Sequence, residues 1–245
     1  MIYNFLVKTI EEKGAAHIVL IDPDIKDASS IQNRVENANA TGVDALFVGG
    51  SLMMDSKCSE RAKKIKEISE IPVILFPGGI GQVNEYYDAM LFMSFISGRN
   101  PQYLIGDQVL AAPIVKDMQL ETIPTGYILM DGGTKSMVEC ISDTRPIPME
   151  RIDLVSAHAL AGQYLGMKLI YLEAGSGANI PVHESVINSV KNAIDIPIIV
   201  GGGIKTPELA RLAVDSGAEI VVTGTIMEDD SNCMREFVDA IHIKL

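Results

Sequence analysis

The sequence predicts an α/β fold, a (β/α)8 TIM barrel with a degenerate third helix, occupying residues 1–245 as one domain. Three observations predict it. Eight short apolar, β-branched runs recur at residues 17–22, 45–49, 72–76, 91–96, 126–130, 169–173, 197–200 and 219–223, and they read as strands. Amphipathic stretches with helical spacing separate most of them, at 29–40, 60–69, 149–165, 182–193 and 207–216. Such alternation of strand and helix implies a parallel sheet with helical crossovers. The length of 245 residues is close to the roughly 250 typical of one such barrel.

The first fourteen residues, MIYNFLVKTIEEKG, mix charges into their apolar positions, which suits a short amphipathic helix and not a signal peptide. After the third run, Pro77-Gly78-Gly79-Ile80-Gly81 leaves only a short segment before the next strand, so that repeat is degenerate. Residues 132–148 read as an elaborated loop on the upper rim. Thr206 before Pro207 places a capping hydroxyl ahead of a first-turn proline, and Glu208 adds a carboxylate at the positive end of that helix. No low-complexity linker or charge block divides the chain.

Composition narrows the function. Hydrophobic residues make up 47% of the chain and charged residues 21%, enough for a large core and incompatible with wholesale disorder. The net charge of −12 argues against a nucleic-acid partner, because backbone phosphates are gripped by clustered Lys and Arg. A local phosphate site stays compatible, since backbone N–H groups at glycine turns and helix N-termini hold phosphate without basic side chains. Cys58, Cys140 and Cys233 are odd in number, far apart and without ligand spacing, which argues against disulfides and zinc and for a reducing cytoplasm. His17, His158, His183 and His242 lack ligand or triad spacing and are assigned structural or surface roles. Apolar stretches such as residues 89–96 fall short of the roughly 18–20 residues that span a bilayer. A transmembrane protein is thereby excluded, while peripheral membrane contact stays compatible.

The candidate site gathers at strand ends. IVGGGIKTPE, residues 199–208, and VVTGT, residues 221–225, put glycines after the seventh and eighth strands, where barrels commonly bind phosphate. Gly201, Gly202 and Gly203 would bring N–H groups to the phosphate oxygens, with Gly224 and Thr225 adding a second set; the alternative is plain turn geometry. In KLIYLEAGSG, two-residue alternation puts Tyr171 and Glu173 on one face and Ile170 and Leu172 on the other. A phenol and a carboxylate then face the barrel mouth, beside Gly175, Ser176 and Gly177, and Glu173 would accept a proton from a bound polyol; the alternative is a structural salt bridge or a solvated strand end. Asp22 and Asp24 end the first strand, and Gly49, Gly50 and Ser51 the second, an oxygen-rich pair of loops suited to Mg²⁺; the alternative is an N-capping Asp and a plain loop turn.

These segments together carry a resemblance: DPD after the first strand, VGGS after the second, FPGG after the third, SGRNP after the fourth, YLEAGSGA after the sixth, GGGI after the seventh and TGT after the eighth. The set resembles the geranylgeranylglyceryl phosphate synthases over almost the whole chain, and YLEAGSG with VGGS is far more specific than glycine-rich phosphate loops in general. The resemblance implies a Mg²⁺-assisted prenyltransferase joining geranylgeranyl diphosphate to the 3-hydroxyl of sn-glycerol 1-phosphate, with release of diphosphate, the first ether-bond step of archaeal membrane lipids. It assigns Mg²⁺ to Asp22 and Ser51. It assigns the glycerol phosphate to Tyr171, Leu172, Glu173, Ala174, Gly175, Ser176 and Gly177, to Gly202 and Gly203, and to Gly224 and Thr225. Glu173 becomes the general base. Many relatives have a lysine directly after the DPD triplet, whereas here Ile25 precedes Lys26, which leaves the part of Lys26 in diphosphate binding open. The family also implies a homo-oligomer.

The donor's tail requires an apolar trough, for which Met53, Met54, Phe76, Phe95, Tyr127 and Met130 are candidates. Arg99 is either a diphosphate contact or a brace for its own loop. Three alternatives accompany this reading: a heptaprenylglyceryl phosphate synthase with a longer donor, a sugar-phosphate isomerase on the same barrel, and a non-catalytic phosphate-ligand sensor.

Overall fold

The computed structural model describes residues 1–24, 28–229 and 233–244. Eight strands close into a parallel barrel in sequence order: β1 (Ala16–Ile21), β2 (Ala45–Val48), β3 (Val73–Leu75), β4 (Ala89–Ser94), β5 (Glu121–Leu129), β6 (Leu169–Glu173), β7 (Ile198–Gly201) and β8 (Ile220–Thr223), the last pairing back onto β1. Side chains that point inward, among them Ile18, Phe47, Ile74, Leu91, Ile123, Tyr127, Tyr171, Ile199 and Ile220, form one interior cluster. Their neighbours at odd spacing, such as Val19, Leu46, Ile170, Leu172 and Val200, pack outward against the helices.

The N-terminal helix α1 (Ile2–Lys13) closes the lower end, burying Leu6 in the interior cluster with Ile2, Tyr3 and Ile10 packed beside it. Its first turn is capped from β5, where Glu121 accepts from the N–H groups of Ile2 (2.5 Å) and Tyr3 (3.0 Å). That interaction gives β5 a reason to begin five residues before the apolar run at 126–130. Around the outside lie α2 (Ala28–Thr41), α3 (Cys58–Ile68), α4 (Asp107–Asp117), the short rim helix α5 (Met137–Ser142), α6 (Ile152–Tyr164), α7 (Glu184–Ala193), α8 (Pro207–Asp215), α9 (Thr225–Asp229) and α10 (Met234–Ile241). The expected cap of α8 is present: Thr206 Oγ1 accepts from the Leu209 N–H at 3.3 Å. α10 is anchored by Met234, Phe237, Val238 and Ile241, all buried, each side chain contributing about 2 kcal/mol of apolar burial.

No full helix joins β3 to β4. A single tight turn, Ile80–Gln82, takes its place, held by Gln82, which accepts from Gly78 N–H (3.0 Å) and donates to the Gly50 carbonyl (2.6 Å). The outer side of β4 therefore borders open space where other strands meet a crossover helix. Among the described residues, no helix is long and apolar enough to cross a membrane.

Candidate active site

β6 ends at the mouth with Tyr171 and Glu173 pointing inward, as the two-residue alternation requires. Glu173 is 7% exposed, and its Oε1 accepts from the Gly175 N–H at 2.7 Å. Burial pushes its carboxyl up to about 7, against the pull of that N–H and of the nearby Tyr171 hydroxyl, both of which favour the charged form. The Tyr171 hydroxyl sits close enough to act on the carboxylate electrostatically, yet among the described residues it has no well-formed hydrogen-bond partner. A buried carboxyl with a single strong donor is costly for folding and well suited to exchanging a proton near neutral pH.

Two glycines that follow β7 make close approaches here, Gly202 to this carboxyl and Gly203 to the β6 loop. Gly202 (φ +81°) and Gly203 (φ +72°) both adopt the left-handed region. A Cβ on Gly202 would collide with Glu173 Oε1 and lie 2.7 Å from Gly175 N, and one on Gly203 would lie 2.9 Å from Pro181 N. Only glycine serves at either position. On the neighbouring strand, Gly224 leads directly into the short helix α9, which begins at Thr225. The loops after β6, β7 and β8 thus converge on one side of the mouth, the arrangement in which barrels hold phosphate.

Across the mouth, Asp22 follows β1 and packs over Gly50, where a Cβ would stand 2.7 Å from Asp22 Oδ1. Among the described residues its hydrogen-bond donor is the Asp24 N–H (2.8 Å). Burial raises the Asp22 carboxyl above its ordinary range, and the negative Asp24 adds to this, while the Asp24 N–H and the charges of Arg34 and Arg61 oppose it. Ser51 is half-buried beside Gly50. This set fits Mg²⁺: a carboxylate whose charge is under-compensated and a hydroxyl, with the rest of the shell left to water and substrate oxygens. Among the described residues, no group of three or more His, Cys, Asp or Glu side chains is gathered to hold a metal ion.

Between these two sides an apolar cleft begins. One lobe lies over the mouth, bounded by Ser51, Phe76, Phe95, Tyr127 and Ile141. A second runs outside β4 between the Pro77–Val83 segment and α4, past Met90, Phe92 and Ala111, and both are partly open to solvent. Met93, Phe95 and Tyr103 line both lobes. An aromatic cluster connects the cleft to the polar side: Tyr171 packs on Phe76 (5.4 Å) and Tyr127 (5.5 Å), and Tyr127 stacks on Phe95 (4.6 Å).

Of the sequence candidates for an apolar trough, Phe76, Phe95 and Tyr127 line the cleft. Met130 instead packs outward in the strand–helix layer, Met54 is 69% exposed, and Met53 lines an adjoining hollow that shares Ser51 and Gly78 with the cleft. Leu172 and Ala174 also direct their side chains into the outer layer, leaving only their main chain for contact with a ligand at the mouth. Ser176 and Gly177 are exposed at the tip of the β6 loop. Arg99 braces its own loop, donating to the Gly98 carbonyl (2.6 Å), with His158 Nε2 at 3.4 Å. Lys26 lies outside the described residues. Sequence reasoning did not find Met93, Tyr103 or Ile141, and the one readable hint was the missing third helix, which leaves apolar residues of β4 without a cover.

Comparison with known proteins agrees with this geometry. The chain is 44% identical over 241 residues to a geranylgeranylglyceryl phosphate synthase of Chitinophaga pinensis, covering 98% of this chain and 96% of that one. It is 42% identical over 245 residues to the protein of that name from Methanosphaera stadtmanae, covering 98% and 99%. Among solved structures it is similar to (S)-3-O-geranylgeranylglyceryl phosphate synthase of Thermoplasma acidophilum in complex with sn-glycerol-1-phosphate, at 35% identity and a TM-score of 0.93, covering 99% of this chain and 98% of that one. The pattern of the PcrB family matches residues 7–241, and the chain belongs to that family.

Proposed function

We propose that this chain is a prenyltransferase that joins geranylgeranyl diphosphate to the 3-hydroxyl of sn-glycerol 1-phosphate, forming an ether bond and releasing diphosphate. The observation that carries the reading is the meeting, at Glu173 and Tyr171, of glycine loops suited to phosphate with an apolar cleft suited to a polyprenyl chain. An isomerase acting on a sugar phosphate would have no use for the second feature.

The backbone N–H groups of Gly202 and Gly203, with those of Gly224 and Thr225, hold the acceptor's phosphate, and the β6 loop from Gly175 to Gly177 borders its glycerol. Anchoring the phosphate presents the 3-hydroxyl to Glu173 and brings the two reactants into one encounter. The 3-oxygen forms a bond to C1 of the prenyl chain as the C1–oxygen bond to diphosphate breaks, the electron pair leaving with diphosphate. Glu173 takes the hydroxyl proton. Mg²⁺ held by Asp22 and Ser51 would supply charge neutralisation for the diphosphate. The cleft excludes water from the allylic carbon, so the acceptor hydroxyl meets no competing nucleophile.

Incubation with Mg²⁺, sn-glycerol 1-phosphate and labelled 15-, 20- or 35-carbon prenyl diphosphates tests this reading and its longer-donor alternative. The expected outcome is an ether product made fastest from the 20-carbon donor. A preference for the 35-carbon donor would assign the heptaprenyl activity, and absence of any ether product would sink the transferase reading. We also propose a homo-oligomer, supported by Val109, Leu110 and Ile114 of α4, which are 63%, 56% and 40% exposed. Light scattering that returned a 26.5 kDa species would contradict it. The wide spacing and odd number of Cys58, Cys140 and Cys233 support a reducing, cytoplasmic setting.

A further inference from the structure

The cleft's two lobes meet at a wall whose backbone is held by an unusual side chain. Tyr103 lies in a π-helical turn, Gln102–Gly106, immediately before α4, and lines both lobes. Its ring stacks on Phe95 at 5.3 Å. The turn is tied to β4 at three points: Phe95 N–H donates to the Tyr103 carbonyl (3.1 Å), Ser94 Oγ to the Leu104 carbonyl (2.7 Å), and Gln108 Nε2 to the carbonyls of both Met93 and Tyr103. Gln108 also lines the outer lobe, and its Oε1 is buried with no hydrogen-bond partner among the described residues.

An amide oxygen left unpaired beside an apolar cleft costs free energy, and a methionine or leucine would line the same wall without that cost. What those side chains lack is the N–H pair that joins the end of β4 to the Tyr103 turn. We propose that Gln108 is a positioning residue for donor selection: by fixing the Tyr103 turn against β4, it sets the width of the passage between the lobes and so the length of prenyl chain that threads through. This inference rests on the prenyl-transfer reading. π-Helical turns are rare and, where they occur, frequent at functional sites, in keeping with such a role.

The test compares wild type with Gln108→Met and Gln108→Glu. The first keeps the volume and removes all hydrogen bonding; the second keeps the shape and removes the donors. Calorimetric affinity and kcat/KM are measured for 15-, 20-, 25- and 35-carbon prenyl diphosphates with saturating sn-glycerol 1-phosphate. Both variants are expected to raise the preference for the 25- and 35-carbon donors relative to the 20-carbon donor by about tenfold, with the KM for glycerol phosphate unchanged. A chain-length profile within about twofold of wild type in either variant overturns the proposal. Should either variant fail to fold, Ser94→Ala, which releases the same turn at Leu104, must shift the profile in the same direction, and an unchanged profile there also overturns it. Wild type that makes no ether from any donor defeats the prenyl-transfer reading instead, and the binding profiles then still decide the role of Gln108.

Discussion

At the lower end of the barrel, Asp44 is buried with donors on every side: Lys13 Nζ at 2.6 Å, the His17 N–H at 2.8 Å and His242 Nε2 at 2.8 Å. At the upper end, Glu173 is buried with one backbone donor and a phenol that makes no proper hydrogen bond. Burial acts to raise both carboxyls. At Asp44 the hydrogen bonds from His242, Lys13 and His17 overcome it and hold the carboxyl below its usual range, whereas at Glu173 burial wins and the group rises to about 7. The lower end joins α1, β1, β2 and the chain following α10 through one satisfied charge, and the upper end leaves its carboxyl short of donors, which suits the ligand proposed to bind there. Stability and chemistry thus occupy opposite ends of one barrel, as the fold's general division predicts.

The opposition extends to pH. His17, at the lower end, has its imidazole pushed down to about 3, chiefly by burial and further by His242, with Asp44 opposing. A base whose folded pKa lies below its unfolded value of 6.5 contributes stability that is present above pH 6.5 and lost as pH falls toward 3; the depressed Asp44 adds a loss in the same direction at still lower pH. Glu173 has the reverse sign. Its folded pKa exceeds its unfolded value of 4.5, so its contribution is intact below pH 4.5 and lost as pH rises through 7.

Further substitutions sharpen or break this comparison. The largest effect is expected from Asp22→Ala, which should lower Mg²⁺-dependent turnover by about 10³-fold or more while calorimetry finds sn-glycerol 1-phosphate affinity within a few-fold; loss of acceptor binding with full turnover would refute the division of the mouth. Asp44→Ala should cost about 1–3 kcal/mol of unfolding free energy, since it leaves the buried His17 N–H and the His242 imidazole without their acceptor, while the half-exposed Lys13 ammonium can turn to water. Turnover per folded molecule should not change. Glu173→Gln should stabilise the protein by up to about 3 kcal/mol above pH 7 and by nothing below pH 4.5, read from denaturant midpoints across that range; a constant offset would mean that the carboxyl is not held near 7. Gly177→Ala should be the mildest, about 1–2 kcal/mol from its positive φ alone, because nothing lies within 4 Å of its Cβ position. Gly202→Ala, in contrast, should raise the acceptor KM sharply through collision with Glu173 and Gly175.

Much of the upper end is legible in the sequence. Residues 169–173 form β6 as the alternation predicts, and the glycines after β7 announce a tight approach, although nothing in their spacing says that Glu173 is the group approached. The degenerate third repeat is legible too, because no run of helical period fits between Leu75 and Ala89. Other elements give weaker signals. α4 carries Pro113 in its interior and exposes Val109, Leu110 and Ile114, so its apolar positions do not mark a single buried stripe. The lower cluster is invisible locally: Asp44 and His242 are 198 residues apart and meet only because the chain's end returns beneath β1. The cleft is equally a product of closure, joining Phe76, Phe95 and Tyr127 with Met93 and Ile141 across four separate segments.

The account turns on Glu173 as the buried base, and the most direct test is the pH dependence of ether formation by wild type and by Glu173→Gln on the same folded preparations. With sn-glycerol 1-phosphate and geranylgeranyl diphosphate, wild-type kcat/KM should fall as pH drops below about 7, following protonation of Glu173. The variant should be slower by roughly 10²–10⁴-fold and show no such limb. A folded Glu173→Gln protein that turns over at the wild-type rate, with the same fall below about pH 7, would contradict the account and move proton removal to another group.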